Sequence, residues 1–139
     1  MASKSKTFET EVLNFIFNGV AIPNLGANFY VRLYNTNTVD NTTVGTEATY
    51  NGYVAGGVLI VRTASGFTVA DSSAKNTGQF VFGTCTAGTE TLRYFAIFKD
   101  NTTFTESHRT HFGQLPADLL VSVDTIPTIP ADFLIINES

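Results

Sequence analysis

Two histidines, one cysteine and twelve acidic residues are the side chains of this 139-residue sequence most able to do chemistry. His108 and His111 form an H-x-x-H pair. The segment from His108 to Leu115 reads as a strand, and on a strand residues three apart point to opposite faces. The pair is therefore expected to diverge, with no Cys or acidic cluster beside it in sequence. Cys85 is the sole cysteine, which excludes a disulfide within the chain and argues against a cysteine zinc site. It is expected as a small buried residue. The acidic residues are scattered, and no two have the spacing of a general acid and base. A nucleophile elbow, a phosphate loop and a dinucleotide fingerprint are all absent. Ser65-Gly66 and Gly56-Gly57 fit a turn and a bulge. Tyr30, Tyr34, Tyr50, Tyr53 and Tyr94 could stack on sugars, but without any Trp they are expected to pack in strands. These residues point to a non-enzyme with no metal and no cofactor.

Charged residues make up 14% of the chain, against about 25% in an average soluble domain. Thr, Asn, Ser and Gly replace them, and these residues favour strands and turns. With 43% hydrophobic residues the chain is not of the disordered class. A surface poor in charge is cheap to desolvate, which suits an assembly subunit and equally a monomer with a neutral polar surface. The net charge is −4, and the longest basic cluster is Lys4 with Lys6. Duplex DNA needs many Lys and Arg phosphate contacts, so direct nucleic-acid binding is not expected.

The apolar run Val12–Ile22 is preceded by Glu9 and Glu11 and interrupted by Asn14 and Asn18. It lacks the form of a signal peptide, and no stretch is long enough to span a bilayer. No membrane partner is expected, and the chain is expected to be cytosolic when made.

The elements follow from periodicity. Residues 1–6 read as a flexible, polar arm. Residues 8–18 read as a short helix with Thr7 as N-cap, Phe8, Val12, Phe15 and Ile16 on one face, and Asn18-Gly19 as the stop. Phe29–Tyr34 alternates as a half-buried strand. Residues 35–51 form a long polar connection, and long connections of this kind are functional or mobile. Further strands are expected over Tyr53–Thr63, Phe67–Ala70, Gln79–Cys85, Thr91–Lys99, His108–Leu115, Leu119–Thr125 and Ala131–Asn137, with Asp71–Thr77 as a loop. In Thr91–Lys99, Leu92, Tyr94, Ala96 and Phe98 share one apolar face and Phe95 and Ile97 the other, so this strand should be central. The fold class is all-β: one domain over 1–139, an antiparallel β-sandwich of jelly-roll type with one N-terminal helix. Its expected core includes Val31, Leu33, Phe80, Phe82, Phe95, Ile97 and Ile135.

Several segments, in order, resemble a family of small bacteriophage virion proteins, labelled phage tail fibre or phage structural proteins. They are Glu11–Phe17, Phe29–Tyr34, Glu47 with Tyr50-Asn51-Gly52-Tyr53, Gln79–Cys85, Thr91–Phe98, His111–Leu115 and Pro130–Ile136. The chain departs from the pattern at Asn35-Thr36-Asn37-Thr38, where a Thr-x-Asp-Pro-Gly-like turn is usual, and at Phe67, where Trp is common. The resemblance carries no catalytic motif. It implies a virion structural protein. A compact jelly roll suits a capsid cement or decoration protein on the head surface, contacting the major capsid protein and further copies of itself as dimer or trimer. The alternative is a tail-associated or tail-fibre module that binds a receptor or glycan. Lys4, Lys6 and Phe8 are the expected partner contacts.

Overall fold

The computed structural model describes residues 2–35 and 41–138; part of the 35–51 connection, residues 36–40, lies outside them. The chain is all-β with one short α-helix. Its strands are β1 (Ala2–Lys4), β2 (Asn28–Tyr34), β3 (Val58–Val61), β4 (Phe67–Ala70), β5 (Ser73–Asn76), β6 (Phe80–Val81), β7 (Glu90–Phe98), β8 (Arg109–Val121), β9 (Thr128–Ile129) and β10 (Ile135–Asn137). The helix α1 spans Lys6–Asn18, and a single 3-10 turn covers Glu106–His108. The strands form three sheets, ordered β1-β8-β7-β2-β3, β10-β5-β4 and β6-β9. Every pairing is antiparallel.

The Thr91–Lys99 segment is central, as its two apolar faces require: β7 is the middle strand of five. Val31, Leu33, Phe80, Phe82, Phe95 and Ile97 are all buried in one cluster. Burial of each such side chain is worth about 1.5–3 kcal/mol relative to exposure. This cluster lies between the five-stranded sheet and the two smaller ones, whose Phe67, Ile129 and Leu134 join it.

Several boundaries differ from expectation, each for a local reason. Residues 2–4 are no free arm; they pair with β8 in the register Lys4↔His111. The helix begins two residues early, with Ser5 rather than Thr7 at its N-cap. The Ser5 hydroxyl does not cap, because it accepts a 2.6 Å bond from the Arg109 guanidinium. Glu106 caps instead, accepting from Thr7 N–H at 2.7 Å and Thr7 Oγ1 at 2.9 Å. The stop at Gly19 is as expected, in the left-handed conformation with φ 67°.

The Asp71–Thr77 loop is in fact β5, reached through a turn in which Asp71 and Ser72 both have positive φ. Gly56 and Gly57 also have positive φ, so the strand expected from Tyr53 starts only at Val58. A Cβ at Gly57 would lie 2.2 Å from the Val31 carbonyl oxygen. The strand expected over Gln79–Cys85 shortens to Phe80–Val81. The two strands expected over 108–125 are one, β8, interrupted opposite Arg93 by a register shift around Pro116, which has no N–H for the ladder. That shift reverses the alternation in β7. Leu92 thus joins Phe95 and Ile97 rather than Tyr94, Ala96 and Phe98. Ile135 is not core but 41% exposed, because the alternation places Leu134 and Ile136 inward.

Candidate assembly surfaces

The outer face of the five-stranded sheet carries buried cations. Arg32 alternates with the core residues Val31 and Leu33, yet Arg32 and Arg109 are fully buried. The Arg32 guanidinium lies 3.6 Å from the Phe98 ring centre and 4.4 Å from that of Phe104. Its nitrogens donate to the carbonyls of Gly56, Asp100 and Thr103 at 3.2, 2.8 and 2.9 Å. Arg109 lies 4.0 Å over Phe112 and donates to Thr43 O at 2.8 Å. These flat cations fill the face with π contacts while binding the loops that cross it.

Lys99 fixes α1. Its ammonium meets the Glu11 carboxylate at 2.5 Å and the Pro23 carbonyl at 2.9 Å. With the Thr7–Glu106 bonds, these contacts hold the N-terminal half of the helix. The other half is bare. Leu13, Phe15, Ile16 and Phe17, together with Val20 beyond the cap, are each at least half exposed, and Phe17 is 77% exposed. Leu13, Ile16 and Phe17 stand at i, i+3 and i+4 and share a face. From Val12 to Val31 the sequence has no charged residue.

A second apolar surface lies between the sheets. In register, Val31, Ile97, His111 and Lys4 form one row across the five-stranded sheet. Val69, Ala74 and Ile136 form a row across the three-stranded sheet. The rows do not close on each other at this end. Between them is a groove of about 600 Å³ walled by Phe8, Phe29, Phe67, Val69, Ile97 and Ile136. Val69 is 75% exposed. The Ser73 hydroxyl, also on the wall, is buried without a hydrogen-bond partner. At one edge Lys4 pairs with Glu138, joining β1 to the residue after β10.

His111 lines this groove and packs edge-on against Phe8, with ring centres 5.5 Å apart. Burial pushes its pKa down to about 4, so the ring is neutral. His108 is elsewhere, with its Nδ1 2.5 Å from Asp100 Oδ2. Burial pushes the Asp100 carboxyl up. The Thr103 and Thr102 N–H groups and His108 outweigh burial and hold it below its ordinary value. The two histidines are not brought together. Among the described residues there is no group of three or more His, Cys, Asp or Glu side chains that could hold a metal. No helix among them is long and apolar enough to cross a membrane. Cys85 is buried and free.

Of the expected contact residues, Phe8 is part of the groove wall, Lys4 is in the edge ion pair, and Lys6 is exposed at the start of α1. The acids of the long connection and its neighbour are used in folding. Glu47 accepts from Tyr53 OH at 2.6 Å and Gly56 N–H at 3.0 Å. Glu90 accepts from Asn35 and from the N–H groups of Thr49 and Tyr50.

A small all-β domain with one tethered helix, an uncharged apolar helix end and an open apolar groove has the surfaces of a structural subunit. A family model described as "Podophage GP4 fiber I protein gp80" matches residues 3–135. The chain belongs to that family and is a bacteriophage virion structural protein. A comparison with curated proteins finds no match.

Proposed function

We propose that this protein is a non-catalytic subunit of a tail-associated fibre, a jelly-roll-type sandwich that assembles with copies of itself. The carrying observation is the uncharged, exposed end of α1. Leu13, Ile16 and Phe17 on its shared face present roughly 350 Å² of apolar surface, as large a patch as a typical monomer leaves bare. A standard interface buries about 800 Å² per partner, so this patch supplies a little under half of one contact. The family description, fiber I protein, favours the fibre over the shell cement that the sequence suggested.

Light scattering on the purified chain tests self-assembly. A dimer or trimer is expected, and Ile16→Asp/Phe17→Asp should be monomeric with an unchanged circular dichroism spectrum, since neither residue is buried. A wild-type chain that stays monomeric at high concentration would overturn the reading. Head decoration, by contact with the major capsid protein, is the second reading. It is favoured by the compact chain, which shows no repeat of fixed period such as an elongated shaft would have. Copy number decides between them: a handful of copies at the tail supports the fibre, and hundreds over the head establish decoration.

A further inference from the structure

The molecule has an apolar projection and an apolar recess, and neither is covered. We infer that they are partners between copies: the end of α1 from one copy seats its side chains in the groove of the next. This inference deepens the self-assembly reading and rests on it.

The projection cannot reach the recess of its own chain. Phe8 already forms part of the groove wall. From Phe8 to Phe17 the helix advances about 13 Å, and it is rigid over that length. Its first half is held to the domain by the Glu11–Lys99 and Thr7–Glu106 contacts. Of α1 it is Phe8 that lines the groove, while Leu13, Ile16 and Phe17 stand exposed outside it, so the recess left to them is that of another copy.

Chemistry matches the two surfaces. The projection has no charge between Val12 and Val31. The groove wall is built from Phe29, Phe67, Val69, Ile97 and Ile136, with charges kept to its lining at Arg62 and Glu138. Arg62 is tied to the Gly26 carbonyl, and Glu138 to Lys4. The entering side chains therefore desolvate no unpaired carboxylate. The recess, about 600 Å³ in volume, is sized for a few large side chains rather than for a whole helix.

The donor and the acceptor surfaces differ, so the contact is heterologous. Such a contact closes into a ring or continues as a filament. A symmetric helix-to-helix contact would instead leave the groove open.

Mixing two single-defect variants distinguishes these arrangements. Ile16→Asp/Phe17→Asp removes the projection, and Val69→Arg blocks the recess at a residue whose exposure makes the change tolerable to the fold. Each alone should self-associate about 30-fold more weakly or worse. An equimolar mixture should form a dimer, because one intact projection then meets one intact recess. Phe17→Cys and Val69→Cys, each in a separate copy, should form a disulfide between residues 17 and 69 under mild oxidation, located by mass spectrometry. If Val69→Arg still assembles like wild type, or the mixture stays monomeric while wild type assembles, the seating is overturned and self-assembly stands. If wild type itself is monomeric, both fall.

Discussion

On its inner side the five-stranded sheet meets a three-stranded sheet, a two-stranded one and, at the groove, Phe8 of α1; on its outer side it meets loops. The outer side is closed by cations. Arg32 spreads over Phe98 and Phe104 and reaches three backbone carbonyls. Arg109 lies over Phe112 and binds Ser5 at the entry to the helix. The inner side is closed by apolar side chains, and only where opposing side chains exist. The covering sheet has three strands against five, and a groove is left between the layers. Directional bonds from a few long side chains can draw irregular loops onto a sheet. Apolar contact needs a second regular surface of equal extent, and where that surface ends, a groove is left. The face that looks most polar in sequence is thus the better sealed.

The contrast predicts unequal costs. Arg32→Met should be the most damaging change. It keeps bulk on the ring faces but leaves the Gly56, Asp100 and Thr103 carbonyls without their donor, at about 1–3 kcal/mol for each that stays buried. A total loss of about 3–5 kcal/mol is expected, lowering the melting temperature by about 10 °C or more. Val69→Ala, in the groove, should cost less than about 0.5 kcal/mol. Comparable losses for the two would end the distinction between the faces.

Glu11→Gln comes next. It removes the charge opposite the Lys99 ammonium, which has no exposed side-chain surface and keeps only neutral acceptors and the Phe8 ring. Removing one partner of a buried pair costs up to about 3–5 kcal/mol; the remaining acceptors should keep this loss to about 2–3 kcal/mol. Amide exchange should speed up throughout α1 and stay unchanged in β7. Slow exchange in α1 with a lowered melting temperature would show that the pair does not tether the helix.

Acid tests the inner side separately. The folded His111 has its pKa pushed down to about 4 from an ordinary 6.5. The unfolded chain therefore binds this proton first, and stability present above pH 6.5 is lost as pH falls towards 4. The loss is at most about 3 kcal/mol. Asp100, held below its ordinary value, gives up its contribution only at lower pH. His111→Phe should flatten the pH 6.5–4 limb of the unfolding curve, and a limb that persists would assign it to another group.

Much of this architecture was legible in period-two patterning, and what was not has local causes. The cores of β2 and β7 were readable because Val31, Leu33, Phe95 and Ile97 alternate cleanly. Leu92 was misassigned because the irregularity opposite Arg93 is a tertiary feature with no mark in β7 itself. β5 was hidden because Ser73-Ala74-Lys75-Asn76 lacks β-branched and aromatic residues, and its turn uses Asp71-Ser72 rather than Asn-Gly. The exposed side chains of α1 could be read as apolar, yet periodicity alone did not say whether the chain's own sheet or a neighbouring subunit would cover them. That they stand free follows from Glu11 meeting Lys99, a contact 88 residues apart in sequence. Phe8 was expected among the contact residues, and it lines the groove. The groove itself had no signal, because its walls come from six separated strands and the helix.

The smallest effect is expected where an ion pair joins the two sheets. Lys4 and Glu138 link the edges of the five- and three-stranded sheets beside the groove. Their side chains are 28% and 59% exposed, however. A pair so placed is worth about 0–1 kcal/mol. The chain end is held independently, since Glu138 N–H donates to Ser72 O at 2.8 Å and β10 pairs with β5 through three residues. β1 is likewise held by its own ladder to β8 and by Ser5 on Arg109. Lys4→Gln should therefore shift the melting temperature by less than about 3 °C. The shift should vanish at about 1 M salt, where screening acts within about 3 Å. Deleting residues 2–6 should be far worse, because it strips the buried Arg109 of its Ser5 acceptor and β8 of its partner strand. A large loss for Lys4→Gln that survives high salt would mean that the groove is held open or shut by a charge, and the inner side would then depend on ions as the outer one does.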